Sequence, residues 1–330
     1  YDVIGVSFFT KQVAVKINKI ASDLKNITEP NEPPQNIINY LVSLYNDKEF
    51  KKAVEISDKF LQEFPNSYDI LNFKGIIEYE LKNYVKAINF YKKASLINTN
   101  SYAIYNNIGV ACKAQGDLNQ AIINYKKAIT LNSNYAEAYN NLGGALRENS
   151  EVTKAIEACE KAIQIKPDYA QAYNNLGLAY YKINGAELAI KNFNRAIEKK
   201  PEFSEPYNNI GLLMAKKKDF DTALIYFTKS LKLDPQNITI RNNIATMKKN
   251  KGIIKEALSD YENIVANDPK NIFTFLNYMG LRIQVTGDSK KVIPKHQSFE
   301  HIHPMIYISC RPGMHRTKLY FLQRSLNDRV

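Results

Sequence analysis

The chain has 330 residues, of which 45% are hydrophobic and 24% are charged, a composition typical of a folded globular protein. No run approaches the ~18 consecutive apolar residues of a membrane-spanning helix, so we predict no membrane association. Three cysteines are too few for a disulfide-stapled secreted scaffold and favour a reducing, cytoplasmic location. Because the chain begins with Tyr1, we expect a fragment or a processed product.

The formal net charge of +12 is unevenly distributed along the chain. Residues 289–330 contain eight Lys or Arg and two acidic residues, a balance of +6 that accounts for half of the excess. Elsewhere the lysines are scattered among Glu and Asp, whereas nucleic-acid binding needs a basic stripe with aromatic or Arg partners. We therefore predict no nucleic-acid partner.

The N-terminal segment, residues 1–33, precedes a repetitive region. Residues 11–26 have the pattern of a capping helix. The proline-rich stretch at residues 29–34 predicts a stiff linker before the first repeat.

A 34-residue repeat begins at residue 34. The string Tyr-Asn-Asn-(Ile/Leu)-Gly occurs at 105–109, 139–143, 173–177 and 207–211, and 241–245 continues its register. An alanine recurs at position 20 of every repeat, from Ala53 to Ala257. The predicted repeats are 34–67, 68–101, 102–135, 136–169, 170–203, 204–237 and 238–271, followed by a partial eighth at 272–293.

This pattern resembles the tetratricopeptide repeat (TPR), which has a bulky residue at position 4, Leu-Gly at 7–8, Ala at 20 and 27, an aromatic at 24 and Pro at 32. Here Tyr often stands at position 4 where the family has Trp. The resemblance implies an all-α, right-handed solenoid of paired antiparallel helices that binds proteins.

Packing accounts for the recurring small residues. Gly at position 8 and Ala at position 20 let the two helices of a repeat approach closely, and large residues fill the surrounding space. Glycines 34 residues apart cannot form a phosphate-binding loop, so we predict no cofactor. At the turns, Gly116-Asp117 and Asn149-Ser150 each predict a helix-ending residue followed by an N-cap.

A candidate binding face follows from the helical period. At 100° per residue, positions 2, 6, 9 and 13 fall at about 180° to 240°, opposite the core positions 4, 7, 8 and 11. By family resemblance, that face of the first helix lines the concave groove. The candidate peptide-binding residues at positions 6 and 9 are Asn107, Asn141, Asn175, Asn209, Asn243, Val110, Leu178 and Leu212.

Two interpretations of the asparagines are open. Asn is a poor helix former, by about 0.5–0.7 kcal/mol relative to Ala, so ten of them in five adjacent pairs call for an explanation. Each amide matches one peptide unit bidentately, and the row resembles the asparagine ladder of O-linked N-acetylglucosamine transferase, which binds substrate peptides. Alternatively, the amides bond to neighbouring helices. A carboxylate clamp is not favoured, because it needs Lys at position 5 and Asn at position 9.

The tail, residues 294–330, differs in composition and includes all four histidines. Cys310 and Arg316-Thr317 resemble the Cys-x5-Arg-Ser/Thr loop of tyrosine phosphatases, and His301 and His303 resemble a metal-ligand pair. The tail is too short for either domain, so we predict no catalytic residue and no metal. A truncated downstream domain or an out-of-frame translation explains it better.

Together these observations predict a non-enzymatic scaffold that binds a protein or an extended peptide in the groove. The alternative is the substrate-recruiting region of a transferase (a glycosyltransferase or a sulfotransferase) or of an oxygenase, whose catalytic domain is missing.

Overall fold

The computed structural model describes residues 32–268 and 271–286, and these residues form fifteen helices and no strand. The predicted all-α class is therefore confirmed. In chain order the helices are α1 (Gln35–Asn46), α2 (Phe50–Glu63), α3 (Tyr68–Glu80), α4 (Tyr84–Ile97), α5 (Tyr102–Gln115), α6 (Leu118–Leu131), α7 (Ala136–Glu148), α8 (Val152–Ile165), α9 (Ala170–Lys182), α10 (Ala186–Lys199), α11 (Ser204–Lys216), α12 (Phe220–Leu233), α13 (Ile238–Asn250), α14 (Ile254–Asn267) and α15 (Ile272–Thr286).

The helices fall in pairs along the 34-residue period. Each predicted span from 34–67 to 238–271 contains one pair, beginning with α1 and α2 and ending with α13 and α14. The chain divides into two compact units, residues 1–179 and 180–330, and the division lies inside α9. The predicted capping helix at 11–26 and the tail at 294–330, with Cys310, His301 and His303, lie outside the described residues.

Alanine at position 20 allows the two helices of a repeat to pack closely. Ala87, Ala121 and Ala155 of the first unit and Ala223 and Ala257 of the second are all fully buried. A larger side chain at these positions has no space, because the interior is packed at the density of an organic crystal.

Glycine at position 8 makes room for the side chain at position 24 of the second helix. An added Cβ on Gly109 would lie 2.5 Å from Cε1 of Tyr125, closer than two non-bonded carbon atoms can approach. The same relation links Gly75 to Tyr91, Gly143 to the sulfur of Cys159, and Gly211 to Phe227. The aromatic series and the glycine series of the sequence are therefore two sides of one contact.

The turn between α5 and α6 follows the sequence prediction. Gly116 adopts a left-handed conformation with φ 94° and ends α5. Asp117 is the N-cap of α6, and its carboxylate accepts a hydrogen bond from the backbone N–H of Gln120 at 3.0 Å.

The turn between α7 and α8 differs from the prediction for Asn149 and Ser150. Ser150 is not the N-cap but the left-handed residue, with φ 67°, and Glu151 is the N-cap of α8. Ser150 lies one 34-residue period after Gly116, so the repeat geometry requires the left-handed conformation there and overrides the capping preference of serine. The equivalent residues Lys48, Lys82, Asn184 and Lys218 also have positive φ, between 59° and 63°.

In the second unit, α15 continues the packing beyond the seventh repeat. Tyr278, Met279 and Leu281 of α15 are buried in one cluster with Ala257 and Tyr261 of α14. The chain from residue 272 to 286 is thus a packed helix at the place of the predicted partial eighth repeat.

We expect Ala155→Leu to lower the free energy of unfolding by about 1–3 kcal/mol, because overpacking forces neighbouring side chains or helices to shift. Ala114→Leu is the matched control, since Ala114 is exposed on α5. Urea denaturation of both variants measures the difference. An equal, small effect of the two substitutions would contradict the packing register described above.

Candidate peptide-binding surface

In the first unit, position 6 of three successive repeats is occupied by Asn107 on α5, Asn141 on α7 and Asn175 on α9. All three side chains are half-buried. Val110 and Leu178, three residues further along α5 and α9, are also half-buried and share the same helix face. These five residues form a mixed amide and apolar surface, which we call the asparagine face.

Each asparagine at position 6 donates a hydrogen bond to the asparagine at position 5 of the preceding repeat. The Nδ2···Oδ1 distances are 3.3 Å for Asn107 to Asn72, 3.0 Å for Asn141 to Asn106, and 2.8 Å for Asn175 to Asn140. The hydrogen bonds expected from the second interpretation of the asparagine pairs are therefore present.

Burial of the position-5 amides explains the need for these bonds. Asn106 is 1% exposed and Asn140 is 6% exposed, and a buried amide without a partner is destabilising. The Nδ2 group of Asn106 also donates to the Glu137 carboxylate at 3.3 Å. Position 5 is thus a structural joint between repeats.

The inter-repeat bond uses only part of each position-6 amide. An Asn side chain has two N–H donors and one carbonyl acceptor. Within the part of the chain that the structure describes, Asn107, Asn141 and Asn175 make no other side-chain hydrogen bond. Each side chain therefore keeps a carbonyl oxygen and a second N–H that the inter-repeat bond does not use.

Between Val110 and Leu178, position 9 of the fourth repeat is Gly144. A Cβ added there would lie 3.3 Å from Nζ of Lys113 and 3.8 Å from Nδ2 of Asn175, so the glycine gives these groups space. Lys113 forms an ion pair with Glu148 at 3.0 Å. This charged pair was not predicted from the sequence, although Gly144 visibly breaks the apolar series at position 9.

An aromatic border lies beside the joint. The hydroxyl of Tyr135 donates to Glu137 at 3.2 Å, and its ring meets Tyr102 edge to face, with 4.9 Å between centroids. Burial raises the pKa of the Tyr135 hydroxyl, and the nearby Glu137 carboxylate raises it further, so the hydroxyl stays protonated as a donor.

The row of asparagines starts at the third repeat. Position 6 of the second repeat is Phe73, which is buried. In the first repeat Asn39 accepts a hydrogen bond from Gln35 of its own helix at 3.1 Å. Neither residue continues the joint towards the N-terminus.

A joint of the same kind occurs among the described residues of the second unit. Asn243 donates to Asn208 at 3.0 Å, and Asn209 is half-buried. At position 9, Leu212 is 38% exposed, whereas the hydroxyl of Thr246 donates to the backbone carbonyl of Asn242 at 2.8 Å. Of the predicted apolar residues, Leu212 is the most open to a ligand.

We looked for metal-ligand groups and reactive thiols among the described residues. Among them no group of three or more His, Cys, Asp or Glu could hold a metal ion. Burial raises the pKa of the Cys159 thiol to about 12 and also raises that of Cys112, so both thiols are protonated and poor nucleophiles. Nor does any helix in these ranges have the length and apolar character needed to cross a membrane.

Sequence comparisons match the middle of the chain to one kind of repeat. A profile described as "TPR repeat" matches residues 111–150 and 143–184, and profiles described as "Tetratricopeptide repeat" match 170–203 and 204–237. No curated protein matches the chain in sequence.

Several solved structures are similar. A crystal structure of MamA is 32% identical and covers 49% of this chain and 95% of its own, with a TM-score of 0.43. The APC/C hetero-tetramer Cut9-Hcn1 is 19% identical over 73% of this chain and 48% of its own, with a TM-score of 0.61. PilF of Pseudomonas aeruginosa is 20% identical over 66% of this chain and 97% of its own, with a TM-score of 0.54. The last two show the same helical-repeat fold.

We expect Asn72→Ala and Asn107→Ala each to lower the free energy of unfolding, because both delete the same inter-repeat hydrogen bond. The coupling energy between the two substitutions should be about 0.5–1.5 kcal/mol, the net value of one hydrogen bond. A double-mutant cycle measured by urea denaturation gives this energy directly. Additive effects of the two substitutions would show that the bond contributes nothing to stability.

Proposed function

Because residues 111–237 match tetratricopeptide-repeat models and the described helices follow the same 34-residue period, we propose that the chain is a protein-interaction scaffold whose asparagine face binds an extended segment of a partner protein. The proposal assigns no catalytic step and no cofactor to the chain. A cytoplasmic location and the lack of nucleic-acid or membrane partners remain predictions.

The supporting observation is the partial use of the position-6 amides. The inter-repeat bond holds each side chain in one orientation while leaving its carbonyl oxygen and one N–H for a ligand. Amides that are already ordered lose little conformational entropy when a peptide binds. The joint therefore supports the peptide-binding interpretation and does not compete with it.

The chemistry of the asparagine face fits a peptide backbone. A carbonyl acceptor paired with an N–H donor is complementary to one peptide unit, which offers the same two groups. Val110 and Leu178, which are half-buried on the same helix face, add apolar contacts. We expect binding that depends on the extended backbone more than on the order of the side chains.

The asparagine row also keeps its resemblance to the peptide-binding ladder of O-linked N-acetylglucosamine transferase. The comparisons lend no support to the alternative of a recruiting region for a transferase or an oxygenase. A catalytic domain encoded after residue 330 would favour that alternative.

An array of extended peptides provides the probe for this proposal. The tightest binder should retain its affinity when its residues are scrambled and lose it when its backbone amides are N-methylated. Asn107→Ala should weaken binding by about 2- to 10-fold, the loss expected for 0.5–1.5 kcal/mol of hydrogen bonding. Fluorescence anisotropy of the labelled peptide measures each dissociation constant.

Asn72→Ala is the matched control. It removes the same inter-repeat bond as Asn107→Ala but leaves the Asn107 amide on the asparagine face. Because the bond to Asn72 orients the Asn107 amide, we expect the affinity to fall by at most about twofold, which corresponds to about 0.4 kcal/mol and is smaller than the loss in Asn107→Ala. Equal weakening by both variants, or unchanged affinity in Asn107→Ala, would refute the backbone-binding role.

A further inference from the structure

Helix α3 buries two charged residues at positions where other repeats have apolar ones. Lys74 at position 7 is 3% exposed and Glu78 at position 11 is 4% exposed. In the third repeat these positions hold Ile108 and Cys112. Charged side chains are rarely buried so fully unless they are paired, so their surroundings merit a functional explanation.

The ammonium group of Lys74 contacts both neighbouring helices. It forms an ion pair with the carboxylate of Asp58 on α2, and it lies 4.9 Å from the ring centroid of Phe90 on α4. The carboxylate of Glu78 accepts a hydrogen bond from Nδ2 of Asn83 at 2.8 Å. The buried charges therefore have partners, and one of those partners, Asp58, is an exposed residue of α2.

A cavity of about 610 Å³ opens beside Lys74. It lies between α2, α3 and α4, and ligand sites in proteins commonly have volumes of about 300–1,000 Å³. One face of α4 forms a wall, because its lining residues are spaced by three, four and seven positions. This face carries Lys86, Asn89, Phe90 and Lys93.

The lining is positive overall. Three ammonium groups, those of Lys74, Lys86 and Lys93, face the carboxylates of Asp58 and Glu78. Burial lowers the pKa of Lys74; Glu78 opposes the shift, and Lys86 and Lys93 add to it. An additional negative charge in the cavity would stabilise the charged form of Lys74.

We propose that this cavity is a second binding site, which takes a glutamate or aspartate side chain of a partner protein onto Lys74, Lys86 and Lys93. Asp58 shows that a carboxylate fits against the Lys74 ammonium. Its side chain is 55% exposed, so an incoming carboxylate can displace it into water. The Phe90 ring offers an apolar wall to the methylene groups of the incoming side chain.

The site is separate from the asparagine face. Positions 7 and 11 of the first helix lie about 100° to 160° away from positions 6 and 9 on the helical wheel. The cavity lies between α2 and α4, whereas the asparagine face is formed by α5, α7 and α9. Loss of binding at the cavity is therefore distinguishable from loss of binding at the asparagine face.

The test uses N-acetylglutamate N-methylamide as the probe and N-acetylglutamine N-methylamide as its uncharged counterpart. In NMR titrations at low salt, we expect the glutamate compound to shift the Lys74 ammonium and Phe90 ring signals saturably. The glutamine compound should cause no such shifts. Equal binding of the two compounds, or saturable shifts with inorganic phosphate only, would overturn the carboxylate assignment.

Substitutions of the two exposed lysines that line the cavity test the role of positive charge in binding. The double substitution Lys86→Gln with Lys93→Gln should weaken the binding of the glutamate compound by about 1.5- to 5-fold per charge removed, as for exposed ion pairs. Lys92→Gln is the matched control, because Lys92 is exposed on α4 and does not line the cavity. The same weakening in Lys92→Gln would mean general attraction to a basic surface and would overturn the proposal.

Asp58→Asn gives a prediction of opposite sign. It removes the competing carboxylate and raises the charge of the lining, so the glutamate compound should bind more tightly than to the unsubstituted protein. Weaker or unchanged binding to a folded Asp58→Asn variant would contradict the displacement of Asp58. If this variant does not fold, the substitutions of Lys86 and Lys93 still test the proposal, because both residues are exposed and their replacement should not affect folding.

Discussion

The close approach of two helices within each repeat is the contact on which the other features depend. Alanine at position 20 is fully buried in every repeat, and glycine at position 8 lies against the side chain at position 24. This contact fixes the rotation of the first helix about its own axis. It therefore decides which residues face the core and which, like Asn141, face the next repeat. The position of the proposed asparagine face therefore depends on this fixed rotation.

In the proposed function, the asparagine at position 6 of a repeat serves both stability and binding. Asn is an unfavourable helix residue, and two in succession cost more than about 1 kcal/mol per repeat. The hydrogen bond from Asn141 to Asn106 recovers part of this cost and satisfies a buried acceptor. In the proposed function, a single asparagine per repeat would leave either the inter-repeat bond or the ligand without a partner.

The periodicity of the sequence was sufficient to predict the helical fold, since burial at Ala53 or Ala257 follows from spacing alone. The periodicity could not predict the hydrogen-bond partner of Asn107. Rotation of this side chain decides whether its amide reaches Asn72 or a bound peptide, and the sequence does not contain that rotation. The 35-residue separation of the bonded pairs was nevertheless visible in the sequence. Ser150 was predicted wrongly because the position in the repeat outweighs local capping preference. Lys74 and Glu78 were overlooked, although charged residues at apolar positions are a direct signal.

The two proposed sites differ in the kind of selectivity they can supply. Amides on the asparagine face match any peptide backbone, so they provide contact area with little discrimination between sequences. The Lys74 cavity instead recognises one charge in one place, and a partner that lacks a carboxylate there would leave the site to Asp58. A partner that used both sites would bind through a sequence-tolerant segment and a single acidic anchor. Selectivity would then depend on the spacing between segment and anchor, a geometric requirement that the packed repeats of the first unit can impose.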